Sequence, residues 1–567
     1  MPSTSKAGPG SGEIPALLSA GIVVLVWTMV CLSAWLGRST IDGDAYLVVP
    51  LGLLFDKVDW TVASTVWLTV MTVCVVAVTI LGVAAWRRHH HSAKHTRVDG
   101  AAQLMGKGRD IEPISAKHAA QVAERLHVQA ATPGILIGAA TTSGQKLYGS
   151  WEDTHIDIWG PRTGKTTSRA IPALMDAPGC VVATSNKRDL TDATRDPRAT
   201  KGDVWVFDPE DVVGETPTWW WNPLNYVTDD KTAIKLANHF AFATRKPGDK
   251  GDAYFDDAGR DVLADTILGA ALCHEPVTSV YKWLTWRQVQ DPLRALDKAG
   301  YDLQAARLLD AQHMADKQQD GVYGFALKAA SCLTVRSMMP WINPAGPNDR
   351  RPQLDPARLV AGANTLYSLS KEGTGVAAPL VTALTVAVVE AAEHLATTMP
   401  SGRLATPMLC CLDEAANVCK WGSLPDLYSH YGSRGIVLMT FLQSWSQGVD
   451  TWSSSGMQKM YSAANIKVYG GGVIEAEFLE NLAKVIGQFD RSTSSVSTSS
   501  GNSHSRSVSS QTTRARILDI EDLAAMPRGR ALVIASGAVP TIVDTIPWTA
   551  RPDAALIAAS IKAHEPH

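Results

Sequence analysis

Two apolar runs near the start of the chain restrict its folds more than any other feature. Ile14–Leu36 and Thr61–Trp86 contain no charged residue. At about 1.5 Å of rise per helical residue, each is long enough for a hydrocarbon core of about 30 Å. Arg38, Asp42, Asp44, Asp56, Lys57 and Asp59 lie between them. The second run is followed by "RRHHHSAKHTR", with Arg87, Arg88, Lys94 and Arg97. A basic cluster of this kind marks a cytoplasmic exit. Two spans then place both chain ends on the cytoplasmic side of a cell membrane. A cleaved signal peptide is the competing reading of the first run, but that run is long for one and the second is a clear stop. The expectation is a membrane anchor over residues 1–97, with spans at about 14–36 and 61–86.

The rest of a 567-residue chain is too long for a single core. Its short apolar strands are "HIDIW", "GCVVATSNK", "DVWVFDP", "NTLYSLS" and "PMLCCLDEAANV". Between the third and fourth, residues 252–273 and about 278–338 repeat apolar positions at helical spacing. The pattern is α/β with a helical insertion. "RALVIAS" and "TIVDTIPW" read as a closing pair of strands around "GAVP". The segment 491–514, "RSTSSVSTSSGNSHSRSVSSQTTR", is rich in Ser and Thr and is expected to be a mobile loop or linker. The formal net charge of −3 gives no global signal for nucleic acid, so any such contact is local. The eight cysteines form no CxxC pair and do not alternate with His at ligand spacing. They are expected as free thiols, with Cys410 and Cys411 inside a strand.

The stretch "IWGPRTGKTT", residues 158–167, looks like a phosphate-gripping loop. Such a loop reads GxxxxGK[ST] between a strand and a helix. Gly164, Lys165 and Thr166 supply its second half, but Trp159 stands at the first Gly position and Gly160 comes one place late. "HIDIW" supplies a strand before it and "KTTSRAIPALM" a helix after it, with the helix N-terminus facing the anion. A glycine-rich turn at a strand end is the plainer alternative. Downstream, the apolar strand of "MLCCLDEAANV" ends in Asp413 and Glu414. In a P-loop ATPase the first acid holds Mg²⁺ and the second activates the attacking water. A strand followed by an acidic helix cap has the same spelling. "IVLMTFLQSWSQG" ends a further strand at Gln443, placed to sense the γ-phosphate. "YGSRGI" offers Arg434 either as a surface residue or as a group reaching a neighbouring subunit's nucleotide.

These stretches, taken in order, resemble the type IV secretion coupling proteins, the TraG/TraD-like conjugative motor ATPases. The motifs that carry the likeness are "GPRTGKTTSRAIPAL", "VFDPEDV", "WWWNPLNYV", "CCLDEAANV", "GIVLMTFLQSWSQ" and "AANIKVYGGGVIEAEFLENLAKVIG". The departures are the short loop, Thr166 where the family often has Gly, and "TSNKRDL" in place of an Asp-Pro-Lys-type strand end. The resemblance implies a hexameric ring of RecA-like P-loop ATPase domains. In this chain that domain would be built from residues 98–250 and 361–567, with an inserted all-α domain at 251–360. It further implies binding of ATP and Mg²⁺. Gly160, Pro161, Arg162, Thr163, Gly164 and Thr167 would wrap the phosphates. Lys165 would contact the β- and γ-phosphates, and Thr166 and Asp413 the metal. Glu414 would activate water, Gln443 read the γ-phosphate and Arg434 stabilise transition-state charge. The expected activity is ATP-driven export of relaxase-bound single-stranded DNA through a type IV secretion channel. Relaxosome and channel proteins would be its partners. A protein exporter, an FtsK-like pump for double-stranded DNA and a non-hydrolytic docking platform are the alternatives. The Asn-Pro-Leu turn, two spans rather than four, and the helical insertion favour DNA export.

Overall fold

The computed structural model describes residues 13–41, 46–55, 57–92, 96–245, 252–372, 376–499 and 505–566. Asp42, Asp44, Asp56 and Lys94, used above to orient the anchor, lie outside the described residues. So do 246–251, where the expected helical insertion begins, and 500–504 of the Ser-rich segment. The chain forms two compact units, Met1–His95 and Thr96–His567.

In the first unit, the apolar runs form the helices Glu13–Leu36 and Val62–Ser92. Two short strands, β1 (Thr40–Ile41) and β2 (Val58–Asp59), pair antiparallel between them. The helices approach closely at Gly37, where an added Cβ would lie 2.0 Å from Ser64 Oγ. Ser39 Oγ and Ser64 Oγ share a 2.7 Å hydrogen bond there. The stretch Val62–Gly82 is long and apolar enough to cross a membrane. Ala378–Thr398, in the second unit, meets the same length and hydropathy test but is mostly buried, as a core helix is.

The second unit is built on an eleven-stranded sheet. Its strands are β3 (Ile135–Ala140), β4 (Lys146–Gly149), β5 (His155–Ile158), β6 (Val181–Ser185), β7 (Val204–Phe207), β8 (Thr365–Leu369), β9 (Met408–Leu412), β10 (Ile436–Leu442) and β11 (Ile466–Tyr469), with β14 (Arg530–Ala535) and β15 (Thr541–Asp544). The remaining pair, β12 (Gln488–Ser499) and β13 (Ser505–Arg516), stands outside this sheet as a two-stranded ribbon. The sheet order is β4-β3-β15-β14-β11-β5-β10-β9-β6-β8-β7. From β11 to β7 all neighbours run parallel. The other four strands are antiparallel. Every residue of β6, β8, β9 and β10 is buried, as expected of parallel strands covered on both faces.

All the strands expected from short apolar runs are present, and "RALVIAS" and "TIVDTIPW" form the closing hairpin β14–β15. The 491–514 segment is different. It was expected as a mobile loop or linker, and most of it lies in the paired strands of β12 and β13. Backbone pairing runs from Gln488↔Arg516 to Ser499↔Ser505 and supplies the order of these strands.

Among the described residues between β7 and β8 the chain forms no further strand. Its longer helices are Asp230–Ala243, Ala253–Leu272, Thr278–Trp286, Gln290–Lys298, Asp302–His313 and Asp316–Ala329. Arg307 makes a two-pronged pair with the buried Asp265, at 2.7 and 2.8 Å, tying two of them together. These helices share one hydrophobic cluster with the sheet strands and the helix Ala378–Thr398. That last helix crosses over from β8 to β9 and is apolar on every side for most of its length. The described cysteines are free, and Cys410 and Cys411 lie in β9.

Candidate nucleotide site

The parallel strands bring their C-terminal ends to one edge of the sheet, where ligands of open α/β sheets bind. The segment 159–165 leaves β5 at that edge. Trp159 is buried and donates its backbone N–H to Leu442 O at 3.0 Å. Its indole packs so close to Gly470 that a Cβ there would lie 2.0 Å from the ring. Gly160 donates N–H to Gly471 O at 2.9 Å, and a Cβ on Gly160 would lie 2.1 Å from Gly472 O. The short spelling therefore has a structural counterpart. Trp159 anchors the loop where a glycine is usual, and Gly160 lies against a triplet of glycines after β11. Gly471 and Gly472 have φ values of 78° and 77°, which side chains disfavour.

The crown of the loop carries Pro161 and Arg162, both exposed, with Arg162 left-handed at φ 61°. Thr163 Oγ1 donates to Gly160 O at 2.6 Å, and Thr167 Oγ1 to Gly164 O at 3.0 Å. The turn Thr166–Ala170 is wound more widely than an α-helix, with Ile171 N–H bonded to Thr166 O. Pro172, which has no N–H, follows within the α-helix Ile171–Asp176. This first turn is held to β5 by a fully buried pair, Arg169 and Asp157. Arg169 Nε donates to Asp157 Oδ1 at 2.9 Å and Nη2 to Oδ2 at 3.2 Å. Arg169 also donates to Leu136 O, and Trp159 Nε1 to Asp157 Oδ1 at 3.2 Å.

Lys165 reaches from the loop to the end of β9. Its ammonium lies 3.0 Å from Asp413 Oδ1 and donates to Glu414 Oε1. Both acids are buried. Burial opposes the charge on Lys165, but the two carboxylates outweigh it and raise its pKa. Burial pushes the Asp413 carboxyl up to about 6, against the pull of Lys165. Glu414 is left-handed, with φ 54° and ψ 42°, a strained conformation for a residue with a Cβ. Its other oxygen, Oε2, accepts from Gln443 Nε2 at 2.8 Å. Gln443 in turn donates its backbone N–H to Gln447 Oε1 at 2.9 Å. Glu475 accepts from the N–H groups of Trp445 at 2.9 Å and Ser446 at 3.1 Å, pinning the helix that follows.

Lys165, Asp413, Glu414 and Gln443 thus form one cluster, although β10 stands between β5 and β9. Thr166, half-buried, begins the turn beside them. Asp413 Oδ1 is buried and, among the described residues, makes no hydrogen bond and faces the Lys165 ammonium. A buried carboxylate oxygen in that state has the chemistry to hold a divalent cation, and the Thr166 hydroxyl is the oxygen donor next to Lys165 on the loop. Arg434 is not part of the cluster. It precedes β10 while the cluster gathers beyond that strand's far end, roughly 20 Å away at about 3.3 Å per residue. Its Nη1 donates to Gly402 O at 3.0 Å. Sequence reasoning missed Asp157, Arg169, the placement of Gly470–Gly472 and Glu475. The acid within "HIDIW" and the run "YGGGV" were the available signals.

Two family models match the chain. One, described as type IV secretory system conjugative DNA transfer, matches residues 112–287. The other, described as the TraM recognition site of TraD and TraG, matches residues 407–528. Comparison with curated protein sequences gives no match. Among solved structures, the bacterial conjugative coupling protein TrwBdeltaN70 in its unbound monoclinic form aligns with a TM-score of 0.53 at 16% identity. That alignment covers 72% of this chain and 88% of that one. The plasmid coupling protein TrwB in complex with the ATP analogue ADPNP aligns with a TM-score of 0.51 at 15% identity, over 70% of this chain and 86% of that one. At these identities the structures establish the likeness of fold.

Proposed function

Because the chain belongs to the family of type IV secretion coupling proteins, we propose that it is a membrane-anchored ATPase. Its turnover drives relaxase-bound single-stranded DNA into a type IV secretion channel. The observation that carries this reading is the cluster in which Lys165 faces both Asp413 and Glu414, with Gln443 on Glu414.

The cluster acts by exchange. Lys165 pairs with both carboxylates and offsets part of their charge in the structure described here. When a triphosphate enters the loop, the ammonium moves to the β- and γ-phosphates. Gly160 to Thr167 surround the phosphates, and Asp413 and Glu414 are released for other partners. Asp413 and Thr166 would hold magnesium, which when bound offsets the charge of the phosphate oxygens. Glu414 orients water for in-line attack on the γ-phosphorus and accepts its proton as the bond to ADP breaks. Gln443, fixed at its own backbone, holds Glu414 in its left-handed conformation and reports the γ-phosphate to β10.

The helices Glu13–Leu36 and Val62–Ser92 serve as two membrane spans with both chain ends in the cytoplasm. The second unit is a RecA-like domain in which the helices between β7 and β8 are the family's inserted all-α domain. Six copies form the working ring, and Arg434 acts only across a subunit interface. Relaxosome proteins, DNA and channel proteins are its partners, and the stretch matching the TraM recognition site supports docking of the relaxosome. Steady-state ATP hydrolysis by the full-length chain, with and without single-stranded DNA, tests the reading. DNA-stimulated turnover is expected.

A further inference from the structure

A cavity of about 280 Å³ opens beside the phosphate loop and extends from it to the C-terminal segment. It borders Thr166, Thr167 and Ile171, and its far walls include Arg188, Trp548 and Ile561. Three elements enclose it: the turn after the loop, the helix Asp189–Ala199 and the C-terminal segment ending in the helix Ala554–His564. The C-terminal segment is firmly seated. Arg551 makes a two-pronged pair with Asp176, at 2.8 and 3.1 Å, at the end of the helix Ile171–Asp176. Ser560 Oγ donates to Asp192 O at 2.6 Å, and His564 Nε2 lies 2.8 Å from Asp196 Oδ1. Ile557 is fully buried in the cluster on this face of the sheet.

A triphosphate in the loop has one fixed end. Glu414 and Gln443 receive the γ-phosphate side, so the chain of phosphates must leave past Thr166 and Thr167. The cavity lies there. Its volume is near the lower end of small-ligand sites, which begin at about 300 Å³, and suits a nucleoside rather than a whole nucleotide. Its lining has the matching chemistry. Trp548 is half-buried and lines the cavity, an aromatic side chain of the kind on which bases stack. Ile171 and Ile561 supply apolar edges. Beside them Asp192 is buried, with Oδ2 accepting from Arg188 Nε at 2.5 Å and Oδ1 without a hydrogen-bond partner among the described residues. That unpaired oxygen is an acceptor for a ribose hydroxyl.

Resting on the nucleotide reading above, we infer that this cavity holds the nucleoside half of the nucleotide, with the base stacked on Trp548. The C-terminal segment is then part of the nucleotide site, although it lies more than 350 residues from the loop in sequence. Stacking accepts any base, so the site takes adenine and guanine nucleotides alike.

The test compares ATP, GTP and inorganic triphosphate as ligands of the full-length chain in detergent with Mg²⁺, read by calorimetry. Wild type is expected to bind both nucleotides more tightly than triphosphate. Trp548→Ala should weaken ATP and GTP about tenfold and leave triphosphate unchanged. Trp548→Phe, which keeps a ring face, should restore most of the loss. Wild-type ATP affinity in Trp548→Ala overturns the inference while leaving the nucleotide reading intact. Failure of wild type to bind either ATP or triphosphate overturns both. If the alanine variant loses all ligands through misfolding, Trp548→Leu decides. Weakened ATP with unchanged triphosphate supports the stacking role, and unchanged ATP refutes it.

Discussion

Gln443 Nε2 donates to Glu414 Oε2 at 2.8 Å, joining the tips of adjacent strands β10 and β9. The contact restrains a carboxylate whose backbone is already in a disfavoured conformation. Gln443→Ala should therefore lower kcat about a hundredfold, the scale of a displaced general base, with KM for ATP close to wild type. An equal loss in ATP affinity would instead make Gln443 a ground-state binding group.

Gly160→Ala should disable the loop without unfolding the protein. The new methyl would sit 2.1 Å from Gly472 O, and both partners are backbone. Relief requires moving the loop away from the glycine triplet, at a cost of about 1–3 kcal/mol. ATP binding should fall at least tenfold while the far-ultraviolet circular dichroism is unchanged. Wild-type ATP affinity in Gly160→Ala would show that the loop does not need this contact.

Much of this site is legible in the sequence. GKT, DE and the strand-ending Gln each follow a short apolar run, and such runs in an α/β chain end at the ligand edge. The placement of β10 between β5 and β9 is not legible, because parallel neighbours are chosen by crossover packing, far from the strand residues themselves. Asp157 reads as the polar member of an alternating strand. Its meaning depends on Arg169, one turn into the following helix. The β12–β13 ribbon is not legible in Ser/Thr composition, because backbone pairing does not depend on apolar side chains. The C-terminal wall of the nucleoside cavity carries no motif.

The second unit should lose stability as the pH falls below about 6.5. Burial holds His239 down to about 4, and burial with the nearby Arg169 holds His155 well below its usual value. Both are neutral in the fold, while the unfolded chain takes up protons from about pH 6.5 downward. The stability is thus present above the unfolded pKa and is lost as the pH falls toward the folded one. His239 alone accounts for about 2 kcal/mol by pH 5. In His239→Gln, urea unfolding measured from pH 7 to 5 should show a shallower pH slope than wild type. An unaltered slope would remove His239 from the account.

Arg434 lies at the far end of β10 from Gln443, and in the reading proposed above it acts on a neighbouring subunit's site. Arg434→Ala should keep ATP binding near wild type and lower kcat on the order of a hundredfold. Mixed with Glu414→Gln subunits, it should recover part of the turnover, because some interfaces then hold an intact pair. Normal turnover in Arg434→Ala would leave it as the residue that braces Gly402.

The central claim is that the Lys165–Asp413–Glu414–Gln443 cluster hydrolyses ATP in order to move DNA. The most direct measurement is steady-state ATP hydrolysis by full-length wild type and Glu414→Gln in detergent, with and without single-stranded DNA, alongside ATP binding. The account predicts turnover in wild type that DNA stimulates. It predicts loss of turnover in Glu414→Gln by about two orders of magnitude or more, with ATP binding retained. Absence of turnover in DNA-bound wild type, or undiminished turnover in Glu414→Gln, would contradict it.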